Sequence, residues 1–543
     1  MVPPSAPGGY APASWEWLVV MVLLLGGFVF NRATYNLYPT VWADEVLWTE
    51  PAINLVKTGH FTTSVWQFQR AGSFWAAQSP LYCFGLAGWM KVVGTDLLAA
   101  RSFNFALASL AIFLTWAAAW RCRLISRPAL RILIVPLLLT GYGMSFSFRC
   151  SRPDIAGMIC LVCFGLAFYI RHDKLRLGAL FLCALAAPWI GIQVALCLAV
   201  VCALAKLFFR QVTMRLCLLL AAGVCLGLAS MFIFYHSHGV LNDLMNSIFQ
   251  AANEKQHFGQ KDSYWASIPK RFHDTLSAYT GDMSCAALMA GLVIGVALKP
   301  GIISSRENRG NRYLLGIVLT VPLIFTLLAH FAFYYAYMIY VPLVLVFLVA
   351  LEQHGLYEKW KMGLGAAVIT AACLVGLPLR LLISIYDCKI VPRDQYAPLI
   401  QAALSPSDVV FADYTAFFEC KAVTAKVYSP MYSRYFVSLS DAAQDFTDQE
   451  KAQVNVLVIP ASQIDEMKRY WGGEWVAATP KLGDSISGNG FSTLPLVGKR
   501  MQSYLTNPQS VRRPLQVFRR VAGTSAMPAA TEARTEQPVG GGE

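Results

Sequence analysis

Over its first two thirds the chain alternates long apolar stretches with short basic ones. Trp17 to Phe30, Ile132 to Thr140, Ile155 to Ile170, Leu216 to Tyr235 and Tyr313 to Leu328 are apolar. Several approach the roughly 20 residues that a helix needs to cross hydrocarbon. Alternating barrel-type patterning is absent, so helices are the spanning elements, because a lipid-facing backbone must satisfy its own hydrogen bonds. Basic clusters separate the apolar segments: Arg121/Arg123/Arg127/Arg131, Arg171/Lys174/Arg176, Lys206/Arg210/Arg215, Arg306/Arg309/Arg312 and Lys359/Lys361. The positive-inside rule makes these cytoplasmic loops and predicts about eleven helices, an inside amino terminus and an outside carboxyl terminus.

The turns between them then face outward: Tyr35 to Ala99, Ser147 to Asp154, Pro188 to Gly191, His236 to Asp282 and Ala329 to Tyr337. Pro80 to Val93 is apolar but, at about 14 residues, too short to span. Counting it would also invert every later basic loop. It is predicted to lie on the outer leaflet with Trp89 and Lys91 at its margin. Glu45 to Thr58 reads the same way, with Val46, Leu47, Ile53, Leu55 and Val56 forming a face for lipid.

From about Asp387 the pattern turns soluble. Asp408 to Asp413 and Val454 to Ile459 read as buried strands of a small α/β domain, with Ala461 to Tyr470 as a following helix. The tail after Ala522, rich in Ala, Thr, Pro, Gly and Glu, reads as disordered. The expected fold class is therefore mainly α, a polytopic transmembrane bundle over 1–385, then an extramembrane α/β domain over 386–521 and a tail over 522–543.

Composition agrees: 56% of residues are hydrophobic and 14% charged, against about a quarter charged in soluble domains. The net charge of +13 sits mainly in the short loops, so topology explains it and nucleic acid is not an expected partner. Most of the 14 cysteines lie in apolar runs and serve as small hydrophobes. Cys160 and Cys163 form a CxxC without a second pair or a nearby histidine, which argues against zinc or redox chemistry. Cys388 and Cys420, in the terminal domain, are candidates for a disulfide. His236, His238, His257 and His273 share one outward loop without a zinc-like spacing. Tyr334, Tyr335, Tyr337 and Tyr340 fit an interfacial aromatic belt.

The segment most suggestive of chemistry is Val41-Trp-Ala-Asp44-Glu45-Val-Leu-Trp-Thr-Glu50, an acidic pair at the outer end of the first span. Charges at the hydrocarbon boundary are costly and tend to have a use. The plain alternative is that Asp44 caps a helix starting at Glu45. A second acid, in Ser151-Arg152-Pro153-Asp154, falls at the next outward turn on the same side. It too has a plain alternative, a helix start with Arg149 and Arg152 as interfacial anchors.

Asp44-Glu45 after a first span, Gly59-His60-Phe61, Ser79-Pro80-Leu81-Tyr82, Ala99-Ala-Arg101, Arg152-Pro153-Asp154, Ala187-Pro188-Trp189-Ile190-Gly191 and Tyr340-Val-Pro342 follow one another in an order that resembles the GT-C fold glycosyltransferases. The resemblance, over about residues 15 to 350, is to glycosyltransferase family 39 and its relatives, which include protein O-mannosyltransferases and the lipid A aminoarabinose transferase. It implies an enzyme of the inner membrane that moves a hexose or pentose from a polyprenyl-phosphate-linked sugar to a lipid, glycan or protein acceptor on the outer side. It implies that Asp44 is the general base, with Glu45 and Asp154 in the same catalytic site. Arg149, Arg152, Arg70 and Lys255 are then the cations for the lipid phosphate. Mg²⁺ or Mn²⁺ is a possible cofactor should the three acids converge. Two departures limit the likeness: Pro188-Trp189-Ile190 stands where relatives often carry a basic residue, and Gln78-Ser79-Pro80 replaces the His-Pro-Pro type motif of protein mannosyltransferases. The competing class is a polytopic transporter or lipid flippase, which would place charges or broken helices near mid-span.

Overall fold

The computed structural model describes residues 12–65, 69, 71–209, 212–248, 264–301, 309–328, 335–353, 359–386, 393–429, 446–482 and 515–521. They fall into two compact units, the first holding the described residues up to 386 apart from 64–65, the second holding those two and the residues from 393 onward.

The first unit is a helical bundle. Its successive helices are α1 (Ser14–Ala33), α2 (Ala43–Thr58), α3 (Pro80–Val93), α4 (Leu97–Arg121), α5 (Pro128–Ile132), α6 (Ile134–Thr140), α7 (Tyr142–Arg149), α8 (Asp154–Ala167), α9 (Asp173–Ile190), α10 (Ile192–Phe208) and α11 (Met214–Ser237). After these come α12 (Tyr264–Gly281), α13 (Met283–Leu298), α14 (Arg309–Leu328), α15 (Tyr337–Gln353), α16 (Lys359–Leu374) and α17 (Leu377–Tyr386). Among the described residues five stretches are long and apolar enough to cross a membrane: Ser14–Ala33, Leu97–Arg121, Met214–Ser237, Arg309–Leu327 and Gly363–Ser384. A sixth candidate is the bent pair Pro128–Thr140 and Tyr142–Arg149, and four shorter apolar helices accompany them. Leu18, Met21, Val22, Leu25 and Val29 on α1 are exposed, as are Leu218, Leu226 and Ile233 on α11. Such apolar faces suit lipid rather than water. The chain is a multi-pass membrane protein.

One buried ion pair joins α1 to α5. Glu16 on α1 is fully buried and takes a two-pronged contact from Arg131 of α5, with Nε 2.8 Å and Nη2 2.6 Å from the two carboxylate oxygens. Trp116 Nε1 donates to the same carboxylate. Removing one partner of such a pair would leave a charge without compensation. Glycines set two other contacts. A Cβ on Gly227 would lie 2.4 Å from the Leu185 carbonyl oxygen, and one on Gly223 would lie 2.8 Å from Ala184 Cβ. This small-xxx-small spacing lets α11 press directly on α9. At Gly141 the chain bends by 62° between the α5–α6 segment and α7. A Cβ there would fall 2.4 Å from the Tyr340 ring, so only glycine admits that ring at the break. The bend aims α7 and the turn after it at the amino-terminal end of α2.

Two sequence expectations change here. The helix expected to rest on lipid, α2, is buried almost all round from Ala43 to Asn54; Val46, Leu47 and Ile53 are covered by protein. Of the two helices expected on the lipid surface, α3 keeps an exposed apolar side, with Leu81 and Val92 outward and Tyr82, Cys83, Leu86 and Met90 inward. The break at Gly141 also splits one expected straight span into two helices.

The second unit is an α/β fold with strands β1 (Val409–Ala412), β2 (Lys426–Tyr428), β3 (Val456–Pro460), β4 (Trp475–Ala477) and β5 (Leu515–Arg520) in the order β2-β1-β3-β5-β4. β1 runs parallel to β2 and β3, while β5 is antiparallel to β3 and β4. The fully buried β3 reads as a continuous apolar run, as a central strand should. Helix Ile464–Trp471 buries Met467 and Trp471. Cys420 is a buried free thiol, and Cys388, its candidate partner, lies outside the described residues.

Asp408 pins this sheet. Burial would raise its pKa, but hydrogen bonds from Arg519, the Ser405 backbone and Asn455 reverse that and hold its carboxyl below the usual range. A depressed carboxyl adds stability that is present above its unfolded value of about 3.9 and is lost as pH falls through the folded value. Hydrogen exchange of the intact protein, corrected for intrinsic rates, should therefore show peptides over 409–412 and 515–520 opening below about pH 4. Arg519→Met should abolish that acid dependence; an unchanged profile would count against the assignment.

Candidate active site

The amino-terminal turn of α2 carries Asp44 and Glu45. Trp42 is the cap residue and makes no side-chain capping bond, so Asp44 is not the helix cap. Its carboxylate pairs instead with Arg152 Nη1. Arg152 also places Nε 2.8 Å from Asp154 Oδ2, so one guanidinium joins the two acids. The Trp42 ring lies under this guanidinium, 4.9 Å from its central carbon.

Asp154 is not a capping residue either, since α8 begins after Pro153 without a side-chain cap. It is 1% exposed, and its Oδ1 has no hydrogen-bond partner. The Tyr337 hydroxyl, also buried and without a partner, packs beside Gly157, where a Cβ would come within 2.8 Å of it. Orphaned buried polar atoms are uncommon and costly. Of the acids, only Asp44 reaches the surface of the cluster, with 11% of its side chain exposed.

Glu45 does a different job. Arg101 grips it with two bonds, Nε to Oε1 and Nη2 to Oε2, each 2.7 Å, and both side chains are fully buried. Arg101 Nη1 donates to the carbonyls of Tyr35 and Pro39, and Glu45 Oε1 accepts the Ser151 N–H at 3.0 Å. Asn104, one turn along α4, donates to the carbonyls of Cys150 and Arg152. Tyr82 of α3 contacts both Asn104 and Ser151 through its hydroxyl. Glu45, Arg101, Asn104 and Tyr82 thus fix the backbone that delivers Arg152. Sequence reasoning quoted Arg101 and Tyr82 only as motif residues and missed Asn104. A polar side chain inside an apolar helix was the one available signal for it.

Arg149 changes role. Expected beside the lipid phosphate, it is fully buried, and its five donors go to Tyr38 O, Asn31 Oδ1 and the Thr34 carbonyl and hydroxyl. A guanidinium has no sixth donor. Arg149 therefore clamps the carboxyl end of α1. Arg70 and Lys255 lie outside the described residues.

Among the described residues no three His, Cys, Asp or Glu side chains gather as metal ligands. The position between Asp44 and Asp154 is taken by the Arg152 guanidinium, and Glu45 is committed to Arg101. This donor set does not fit Mg²⁺ or Mn²⁺, which require several free oxygens. Of the loop histidines, His238 stacks on Phe74 with ring centroids 4.0 Å apart and His273 is exposed. His257 lies outside the described residues.

In its polytopic helical bundle followed along the chain by an α/β unit, this membrane protein has the GT-C fold of the solved structures to which it is similar. Two solved structures share it: ArnT from Cupriavidus metallidurans bound to undecaprenyl phosphate (TM-score 0.56, 12% identity, covering 95% of this chain and 100% of that one) and the same protein in the apo state (TM-score 0.56, 13% identity, 95% and 99%). No family model matches the sequence, and no curated protein does. At such identities the likeness is one of fold.

Proposed function

We propose that this protein is a glycosyltransferase that moves a sugar from a polyprenyl-phosphate donor to a hydroxyl of a lipid, glycan or protein acceptor at the outer face of the inner membrane. The observation that carries the reading is Asp44: a carboxylate at the rim of a buried acid–arginine–acid cluster, held by Arg152 and partly open. A shared fold with a protein bound to undecaprenyl phosphate adds support.

Asp44 accepts the proton of the acceptor hydroxyl as its oxygen bonds to the anomeric carbon. The bond from that carbon to the phosphate oxygen breaks, and its electron pair leaves with the lipid phosphate. A phosphate is already a stable anion, so it calls for positive charge more than for a proton donor. Arg152 aims Asp44, and Asp154 balances Arg152 from the other side. Arg70 and Lys255 are the further candidates for the phosphate. Glu45 acts through Arg101 as a positioning residue.

The test is direct. Purified protein is incubated with a panel of polyprenyl-phosphate hexoses and pentoses and detergent-extracted acceptors from the same membrane. Release of polyprenyl phosphate with at least one donor, coupled to labelling of an acceptor, is expected. Inertness toward the whole panel, combined with substrate uptake into sealed vesicles, would favour a transporter instead.

A further inference from the structure

A cavity of about 520 Å³ opens within the bundle, running along α8 from near the acid cluster toward the start of α9. It falls in the range of ligand-binding cavities, about 300–1,000 Å³. We propose that it seats one acyl chain of an anionic glycerophospholipid drawn from the leaflet beside the basic loops. The proposal does not depend on sugar transfer.

The lining follows one side of α8 through Met158, Leu161 and Gly165, with Val201 of α10 and Leu345 of α15 opposite. From Met158 to the end of α8 is about 15 Å at 1.5 Å per residue. Met158 lies one turn beyond Asp154, so that end approaches the acid cluster and is apolar except for Tyr337. The polar lining collects at the other end: Cys122 closing α4, Tyr169 just past α8, Arg176 in the opening turns of α9, Thr213 capping α11 and Tyr313. Arg176 is one-third exposed and paired with Asp173, and Arg121, Arg123, Arg171 and Lys174 nearby in sequence are exposed.

An apolar shaft with a cationic mouth suits a chain whose head is anionic, since each basic residue near the headgroups attracts such lipids. The same polarity argues against the donor's tail. A donor must present its phosphate to Asp44, so its tail would enter from the Met158 end and leave the cationic mouth at Arg176 without an anion. The shaft also has room to be filled: a Cβ on Gly165 or on Gly310, both in the lining, would meet nothing within 4 Å.

The experiment uses the full chain in nanodiscs with phosphatidylglycerol carrying a photoactivatable diazirine in one acyl chain. Labelling of peptides containing Met158, Leu161, Val201 or Leu345 is expected. It should exceed labelling by the matched phosphatidylcholine probe about fivefold, the attraction of roughly one basic residue, and Arg176→Gln should erase that preference. Gly165→Phe should abolish cavity labelling while elution profile and lipid-free melting temperature stay unchanged; Gly310→Phe serves as a second filling variant. Equal labelling by both headgroups in the unaltered protein would overturn the proposal. So would label persisting in a folded filling variant, or displacement by undecaprenyl phosphate but not by unlabelled phosphatidylglycerol.

Discussion

Asp44→Asn should cut sugar transfer by about a hundredfold or more, the usual range for loss of a general base, with the protein still folded. Asparagine keeps the size of the side chain and an oxygen that can accept from Arg152, so the joint between α2 and the Arg152 turn survives. What it removes is the proton acceptor at the open edge of the cluster. Because Trp42 and not Asp44 caps α2, a change in helix stability would not mimic the effect. The measurement is initial rate of polyprenyl phosphate release, alongside the thermal melt of each preparation. A variant with parental turnover would reduce Asp44 to a partner of Arg152. Arg152→Met should also slow transfer, but through misplacement of Asp44 and Asp154, so its melting temperature should drop where that of Asp44→Asn does not.

The largest loss of stability is expected from Arg101→Met. Glu45 would remain fully buried with its two-pronged partner gone, and the carbonyls of Tyr35 and Pro39 would lose a donor. Breaking a buried pair from one side costs about 3–5 kcal/mol. That is a large share of the roughly 5–15 kcal/mol by which folded proteins exceed their unfolded states. Fluorescence-detected size exclusion should show most of the variant lost to aggregation. The double variant Glu45→Gln with Arg101→Met removes both charges and should recover a large part of the folded fraction, because no uncompensated ion is left inside. If the single and double variants behaved alike, the pair would not be what holds α2 to α4.

The acids and the helices were legible for separate reasons. Apolar runs and basic loops announce membrane helices through transfer free energy alone, which is why the helical class and the strands at Val409–Ala412 and Val456–Pro460 stand out in one dimension. Strands β2 and β4 were not legible: three residues each are too short to show alternation. Nor was β5, whose sequence Leu-Gln-Val-Phe-Arg-Arg ends in two cations that project onto Asp408 and backbone carbonyls. Asp44 and Asp154 drew notice because charge at a hydrocarbon boundary is expensive, and that cost can be read without coordinates.

Partnership could not be read that way. Arg149 and Arg152 stand three residues apart in like surroundings, yet one spends every donor on the end of α1 and the other bridges two carboxylates. Glu45 and Asp44 are adjacent, yet one is sealed against Arg101 and the other keeps 11% of its side chain exposed. In each case the difference arises from a direction: the bend at Gly141, the face of α2 turned to α4, the turn held by Asn104. By itself the sequence determined that this chain lives in a membrane, where its apolar helices and two of the five described strands fall, and which charges are costly enough to notice. Tertiary structure alone decided which of those charges meet, because pairing energy depends on distance and burial, and both are set by elements brought together from 56 and 108 residues apart.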